Sequence, residues 1–112
     1  MRLVFKLWLT QEEKAFGEGP CELLERIRSS GSLKKAAEEM GMSYSKAWTV
    51  IRRAEKQLGV TLLLRKAGGT EGGGSLLTAE AHDLITRYRQ FCSEAGDALL
   101  ILYKKHFTGF FD

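Results

Sequence analysis

Residues 32–59, "SLKKAAEEMGMSYSKAWTVIRRAEKQLG", constrain the fold of this chain more than any other stretch. A serine opens the segment at position 32 and another follows at 43, while glycines stand at 41 and 59. A serine hydroxyl accepts a backbone N–H that the first turn of a helix leaves unpaired, and glycine takes the left-handed conformation that ends one. The spacing therefore predicts a helix of barely two turns, "LKKAAEEMG", and a longer one, "YSKAWTVIRRAEKQLG", with only "GMS" between them. Leu33, Ala36, Ala37 and Met40 line one side of the shorter helix. Alanines at 36 and 37 allow a close crossing, so the pair reads as a helix-turn-helix.

The longer helix has two contrasting faces. Ala47, Trp48, Ile51, Ala54 and Leu58 recur at helical spacing and form one stripe expected to be buried. The other face carries Ser45, Lys46, Thr49, Arg52, Arg53 and Lys56, with the cap Ser43 and Tyr44 at the leading turn and Glu55 off to the side. Hydroxyls and cations on the first turns of a second helix match what major-groove entry requires, hydrogen bonds to base edges and charge for phosphates. The plainer alternative is a solvated amphipathic helix. Charge segregation weighs against it. Residues 26–66 hold ten Lys/Arg and three acids, a balance of +7, while the remaining positions sum to −4. So uneven a distribution points to a polyanionic partner.

The flanks complete a fold. "LVFKLWL", residues 3–9, is rich in Val, Phe, Trp and Leu and predicts a strand. "TQEEKAFGEG" predicts a loop, and Pro20 suits the first turn of a helix that buries Cys21, Leu23, Leu24 and Ile27 and stops at Gly31. After Gly59, "VTLLLRK" and "SLLT" predict two short strands. The connection between them includes Gly68, Gly69, Gly72, Gly73 and Gly74. A strand, a glycine-rich tip and a return strand directly after the longer helix make a wing. Glycine lets such a tip bring its backbone close to a sugar-phosphate rail, and Arg65 and Lys66 at its base add charge. The tip is expected to be mobile without DNA.

Thr78 caps a final helix over roughly 79–106, about 40 Å long at 1.5 Å per residue. Ala81, Leu84, Tyr88, Phe91, Ala95, Ala98 and Leu102 form one apolar column, and Ile85, Cys92 and Leu99 a second. A small domain has no room to cover both. Leu84, Tyr88, Phe91, Leu99 and Leu102 are therefore expected to meet a second copy. Gly96 leaves room for a kink or an early end. The expected fold class is mainly α with a small β wing: a winged helix-turn-helix with an N-terminal strand and a long C-terminal dimerisation helix. Residues 1–78 form the DNA-binding part and 79–112 the dimerisation helix and tail of the same domain.

Other classes find little support. With 44% hydrophobic and 28% charged residues, the 112-residue chain matches one soluble globular domain. The longest apolar run, residues 98–103, is far short of the about 20 residues a bilayer span needs. Lys6 breaks the apolar N-terminus and no small-residue cleavage site follows, against a signal peptide. Cys21 and Cys92 lack metal-ligand spacing and read as free core cysteines of a cytoplasmic protein. His82 and His106 form no HExxH pattern, no serine sits in a GxSxG elbow, and the glycine run lacks the GK[ST] ending of a phosphate loop. No enzymatic activity, metal or cofactor is expected.

"GPCELLERIRSSGSLKKAAEEMGMSYSKAW", the wing "GGTEGGGSLLT" and the leading "LVFKLWL" resemble the N-terminal winged-helix domain of the molybdate-responsive ModE transcription regulators. The helix-turn-helix and "EKQLGVTLLLR" resemble LysR-type regulators more distantly. The resemblance covers Leu3 to about Cys92. It implies a homodimeric transcription regulator that binds double-stranded DNA. Ser43, Tyr44, Ser45, Lys46 and Thr49 would lie near the bases, and Arg52, Arg53, Arg65 and Lys66 on phosphates or the minor groove. Molybdate-sensing members continue into oxyanion-binding domains, whereas this sequence ends at Asp112, so molybdate binding is not expected. A rival reading makes the winged fold a protein-interaction module that works through the long helix and the aromatic tail "HFTGFFD". Another adds a ligand sensor at the dimer interface.

Overall fold

The computed structural model describes residues 1–65 and 74–111. In chain order the elements are β1 (Leu9–Thr10), β2 (Lys14–Phe16), α1 (Glu18–Ser30), α2 (Leu33–Glu39), α3 (Tyr44–Leu58), β3 (Leu63–Arg65), β4 (Ser75–Leu77) and α4 (Ala79–Phe107). Two antiparallel hairpins flank the helix-turn-helix. In the first, Leu9 pairs with Phe16 and Thr10 with Lys14 across an irregular register; in the second, Leu63, Leu64 and Arg65 pair with Leu77, Leu76 and Ser75. The second hairpin is the wing, and the whole is a winged helix-turn-helix.

One core joins these pieces. Phe16, Leu23, Leu24, Ile27, Leu33, Ile51 and Leu62 are fully buried, each worth roughly 1.5–3 kcal/mol of transfer free energy. Ala36, Ala37, Ala47 and Ala54 are also buried, and their lack of bulk lets α2 and α3 approach α1. Gly31, at φ 73°, ends α1 by donating its N–H to the carbonyl of Ile27. Gly31 then accepts the N–H of Ser75 at 2.9 Å, which fastens the wing to the α1–α2 corner. Gly41, at φ 68°, closes α2: its N–H reaches the Glu38 carbonyl and that of Met42 reaches Ala37.

Several expectations need correction. Residues 3–8 are not in a strand, and only Leu9–Thr10 enters a sheet. A strand needs a backbone ladder beside it, whereas this segment lies along α4, whose backbone groups bond within the helix. The Tyr88 hydroxyl donates to the Leu7 carbonyl at 2.8 Å, and Phe5 rests against Gly96, where a Cβ would come within 3.3 Å of the ring. Gly96 thus provides close packing, and α4 runs through it without a break. The expected loop after Thr10 contains β2, and α1 begins at Glu18, two residues before Pro20. The strand expected from Val60 begins only at Leu63, because Gly59 and Val60 both close α3 by donating to the Glu55 carbonyl.

On α4 only Ala81, Ile85 and Tyr88 are buried. The column of the helix predicts Tyr88 in a dimer contact, but its side chain is 3% exposed, edge-on to Phe16 with ring centroids 5.2 Å apart. It belongs to the protomer's own core. Arg89 clamps the same turn to α1, its guanidinium donating to both Glu25 oxygens and to Glu18. Those hydrogen bonds, Glu25 first, raise the Arg89 pKa and hold the Glu25 carboxyl below the ordinary carboxylate value. Beyond Arg89, Phe91 is 51% exposed and Leu102 48%, whereas Leu84 and Leu99 are half-buried.

Candidate nucleic-acid interface

The outward face of α3 starts at its cap. The Ser43 hydroxyl accepts the Lys46 N–H at 3.1 Å, which anchors the first turn and occupies the hydroxyl as an acceptor. Thr49 donates its hydroxyl proton back to the Ser45 carbonyl at 3.0 Å, leaving its oxygen to accept. Tyr44, Ser45, Lys46, Thr49, Arg52, Arg53 and Lys56 are all exposed. Thr49, Arg52, Arg53 and Lys56 line one open groove together with Trp48 and, from the β1–β2 turn, Glu13. That turn is held there by Gln57, whose side-chain oxygen accepts the N–H of Glu12 and of Glu13 at 3.0 and 3.2 Å. Glu13 stands 3.8 Å from Arg53, an acidic neighbour that the α3 pattern does not reveal.

Glu55, the one acid on α3, is turned inward, its side chain 11% exposed. It accepts the N–H of Leu62 at 2.8 Å, that of Leu63 at 3.2 Å, and Arg52 Nη1 at 2.6 Å. Burial opposes its charged form, but these three donors outweigh it and the carboxyl sits below its ordinary value. Glu55 thus joins α3 to β3 and orients one guanidinium of the face.

Trp48 keeps its place beside Ala47, Ile51 and Ala54 against the core, but it is only half-buried and its ring also reaches the α3–β3 junction. The guanidinium carbon of Arg52 lies 4.5 Å from the ring centroid and that of Arg65 4.9 Å. Tyr44 meets the ring edge-on at 6.4 Å, and its hydroxyl accepts from Arg65 Nη2 at 3.3 Å. The structure therefore gathers Tyr44, Trp48, Arg52 and Arg65 into one cluster. Sequence reasoning misses Trp48 because an indole at a stripe position reads as core. The cue available in sequence is its spacing of four from both Tyr44 and Arg52. Leu58, also of the stripe, is half-buried.

Lys66, Gly68, Gly69, Gly72 and Gly73 lie outside the described residues, as does the expectation of a mobile tip; Gly74 is half-buried just before β4. Burial pushes the Cys21 thiol up to about 11, which keeps it protonated and unreactive at neutral pH. Among the described residues no group of three His, Cys, Asp or Glu could hold a metal, and no helix is long and apolar enough to cross a membrane.

Three helices, a two-stranded wing and a cationic face on the third helix define a winged helix-turn-helix protein. The chain matches the family described as "Bacterial regulatory helix-turn-helix protein, lysR family" over residues 21–82, more than half its length, and it belongs to that family. It is 34% identical over 85 residues to the molybdenum transport protein ModE of Azotobacter vinelandii, covering 76% of this chain and 32% of that protein. It is 37% identical over 79 residues to the molybdenum-pterin-binding protein MopB of Rhodobacter capsulatus, covering 70% and 28% respectively. To the DNA-binding transcriptional dual regulator ModE of Escherichia coli K12 it is 34% identical over 89 residues, covering 79% and 34%. The chain thus spans about a third of the length of these relatives. The crystal structure of the CbnR_DBD-DNA complex contains a chain of the same fold, with a TM-score of 0.58 over 71% of this chain and 86% of that one, at 24% identity.

Proposed function

We propose that these residues form the duplex-DNA-binding part of a homodimeric transcription regulator. The observation that carries this reading is the α3 surface, where Tyr44, Ser45, Lys46, Thr49, Arg52, Arg53 and Lys56 face outward and the one acid of the helix is turned in. In this reading α3 enters the major groove. Tyr44, Ser45, Lys46 and Thr49 contact base edges, while Arg52, Arg53, Lys56, Arg65 and Lys66 meet the backbone. The relative named a DNA-binding transcriptional regulator and the fold neighbour crystallised with DNA support it.

Within the same proposal, residues 79–112 supply the dimer contact, and a dimer places two α3 helices on half-sites about one turn apart, ~34 Å. Molybdate sensing is not assigned to these residues, whose elements are those of a winged helix and one extended helix. The alternative of a pure protein-interaction module leaves the cationic α3 face without a task and is not favoured.

The test is fluorescence anisotropy on a pool of mixed-sequence duplexes over a range of salt concentrations. Binding should weaken steeply as salt rises. Arg52→Ala combined with Arg53→Ala should flatten the slope of log affinity against log salt by about two, one for each phosphate no longer neutralised. Salt-insensitive binding, or no duplex bound at low salt, would remove the proposal.

A further inference from the structure

Trp48 brings together two cations from different elements. Arg52 belongs to α3 and Arg65 is the last residue of β3, yet their guanidinium carbons lie 4.5 and 4.9 Å from one indole centroid. Like charges so placed repel one another. The negative face of the ring offsets part of that repulsion, and an anion beside both would offset more. Glu55 holds Arg52 from one side and the Tyr44 hydroxyl holds Arg65 from another, so both side chains are oriented before any ligand arrives. Among the described residues the buried indole Nε1–H meets no acceptor.

We propose that Trp48 is a positioning residue. It holds Arg52 and Arg65 as a pair for the DNA backbone where α3 meets the wing, so that helix and wing engage the duplex as one unit. The inference rests on the DNA-binding reading above. It assigns Trp48 a task that neither core packing nor base contact supplies.

A double-mutant cycle tests it. Trp48→Leu, Arg65→Gln, the double variant and Trp48→Phe are compared for duplex affinity across salt concentrations, after thermal unfolding shows which are folded. Arg65→Gln should weaken binding about fivefold and flatten the salt slope by about one. Trp48→Leu should do nearly the same although it removes no charge, and the double variant should lose little more than either single one. Trp48→Phe keeps an aromatic face and should recover most of the affinity. Should Trp48→Leu not fold, Trp48→Phe takes its place in the cycle, with a smaller but still non-multiplicative loss expected. An unchanged salt slope in the Trp48 variant, or losses that multiply, overturns the inference while leaving DNA binding intact. A wild-type chain that binds no duplex removes both.

Discussion

Glu55 accepts the backbone N–H groups of Leu62 and Leu63, at the start of the wing, and one guanidinium, so its charge is worth more folded than unfolded. Its folded pKa lies below the ordinary 4.5; the stabilisation is therefore complete above that value and is lost as pH falls through the folded pKa. Glu25, held by Arg89, acts with the same sign. Glu55→Gln should cost about 1–2 kcal/mol at neutral pH, from weakened charge-assisted hydrogen bonds. It should also shallow the decline of melting temperature on acidification. Parallel acid limbs in parent and variant melts would contradict this. Gly17 offers a different residue-scale test. Its φ of −163° is ordinary extended backbone, but a Cβ there would lie 2.6 Å from the Trp8 ring. Gly17→Ala should cost about 1–3 kcal/mol through overpacking and shift tryptophan emission as Trp8 moves. Unaltered stability together with unaltered emission would count against that packing.

At the scale of elements, three helices begin with the same device. Ser32, Ser43 and Thr78 each accept the backbone N–H three residues on, at 3.1 Å, and each is legible as a hydroxyl ahead of an apolar-periodic run. Thr78 does more than the serines, because its hydroxyl also donates to the Thr61 carbonyl at 2.7 Å and ties the start of α4 to the segment entering the wing. Thr78→Val keeps the shape and removes both bonds. It should cost about 2 kcal/mol in urea unfolding, against about 1 kcal/mol for Ser32→Ala. Equal losses would mean that the second bond contributes nothing. The N-terminal segment shows the converse case: strand-forming residues without a ladder partner stay outside a sheet, whatever their propensity.

The whole molecule measures 61 × 27 × 22 Å with a radius of gyration of 17.2 Å, against about 13 Å for a compact chain of this length. The difference lies in α4, which from Phe91 onward extends past the core with Phe91, Leu100, Ile101 and Leu102 exposed. In the proposed homodimer these side chains are covered by the partner copy. Sedimentation equilibrium should then return twice the chain mass. Phe91→Glu combined with Leu102→Glu should return the monomer mass with unaltered far-UV circular dichroism, since neither side chain is buried in the protomer. A parent chain that sediments as a monomer at micromolar concentration would rule out this dimer.

Features decided within a few residues can be read in advance. The two serine caps and closing glycines of the helix-turn-helix, the stripes of α1 and α2 and the length of α4 all follow from hydrogen bonds or side-chain spacing confined to one or two turns. The outward cationic residues of α3 are legible for the same reason. What cannot be read depends on distant parts of the chain meeting. Residues 3–8 lie on α4 because Tyr88 and Gly96 receive them there, and Tyr88 turns inward because Phe16 is in place to meet it. Glu13 reaches Arg53 through Gln57, and Trp48, half-buried against the core, lies beneath two guanidiniums, one of them contributed by β3. Periodicity ranks a side chain by its own helix alone, whereas burial and pairing are set by which surfaces the assembled fold brings against it.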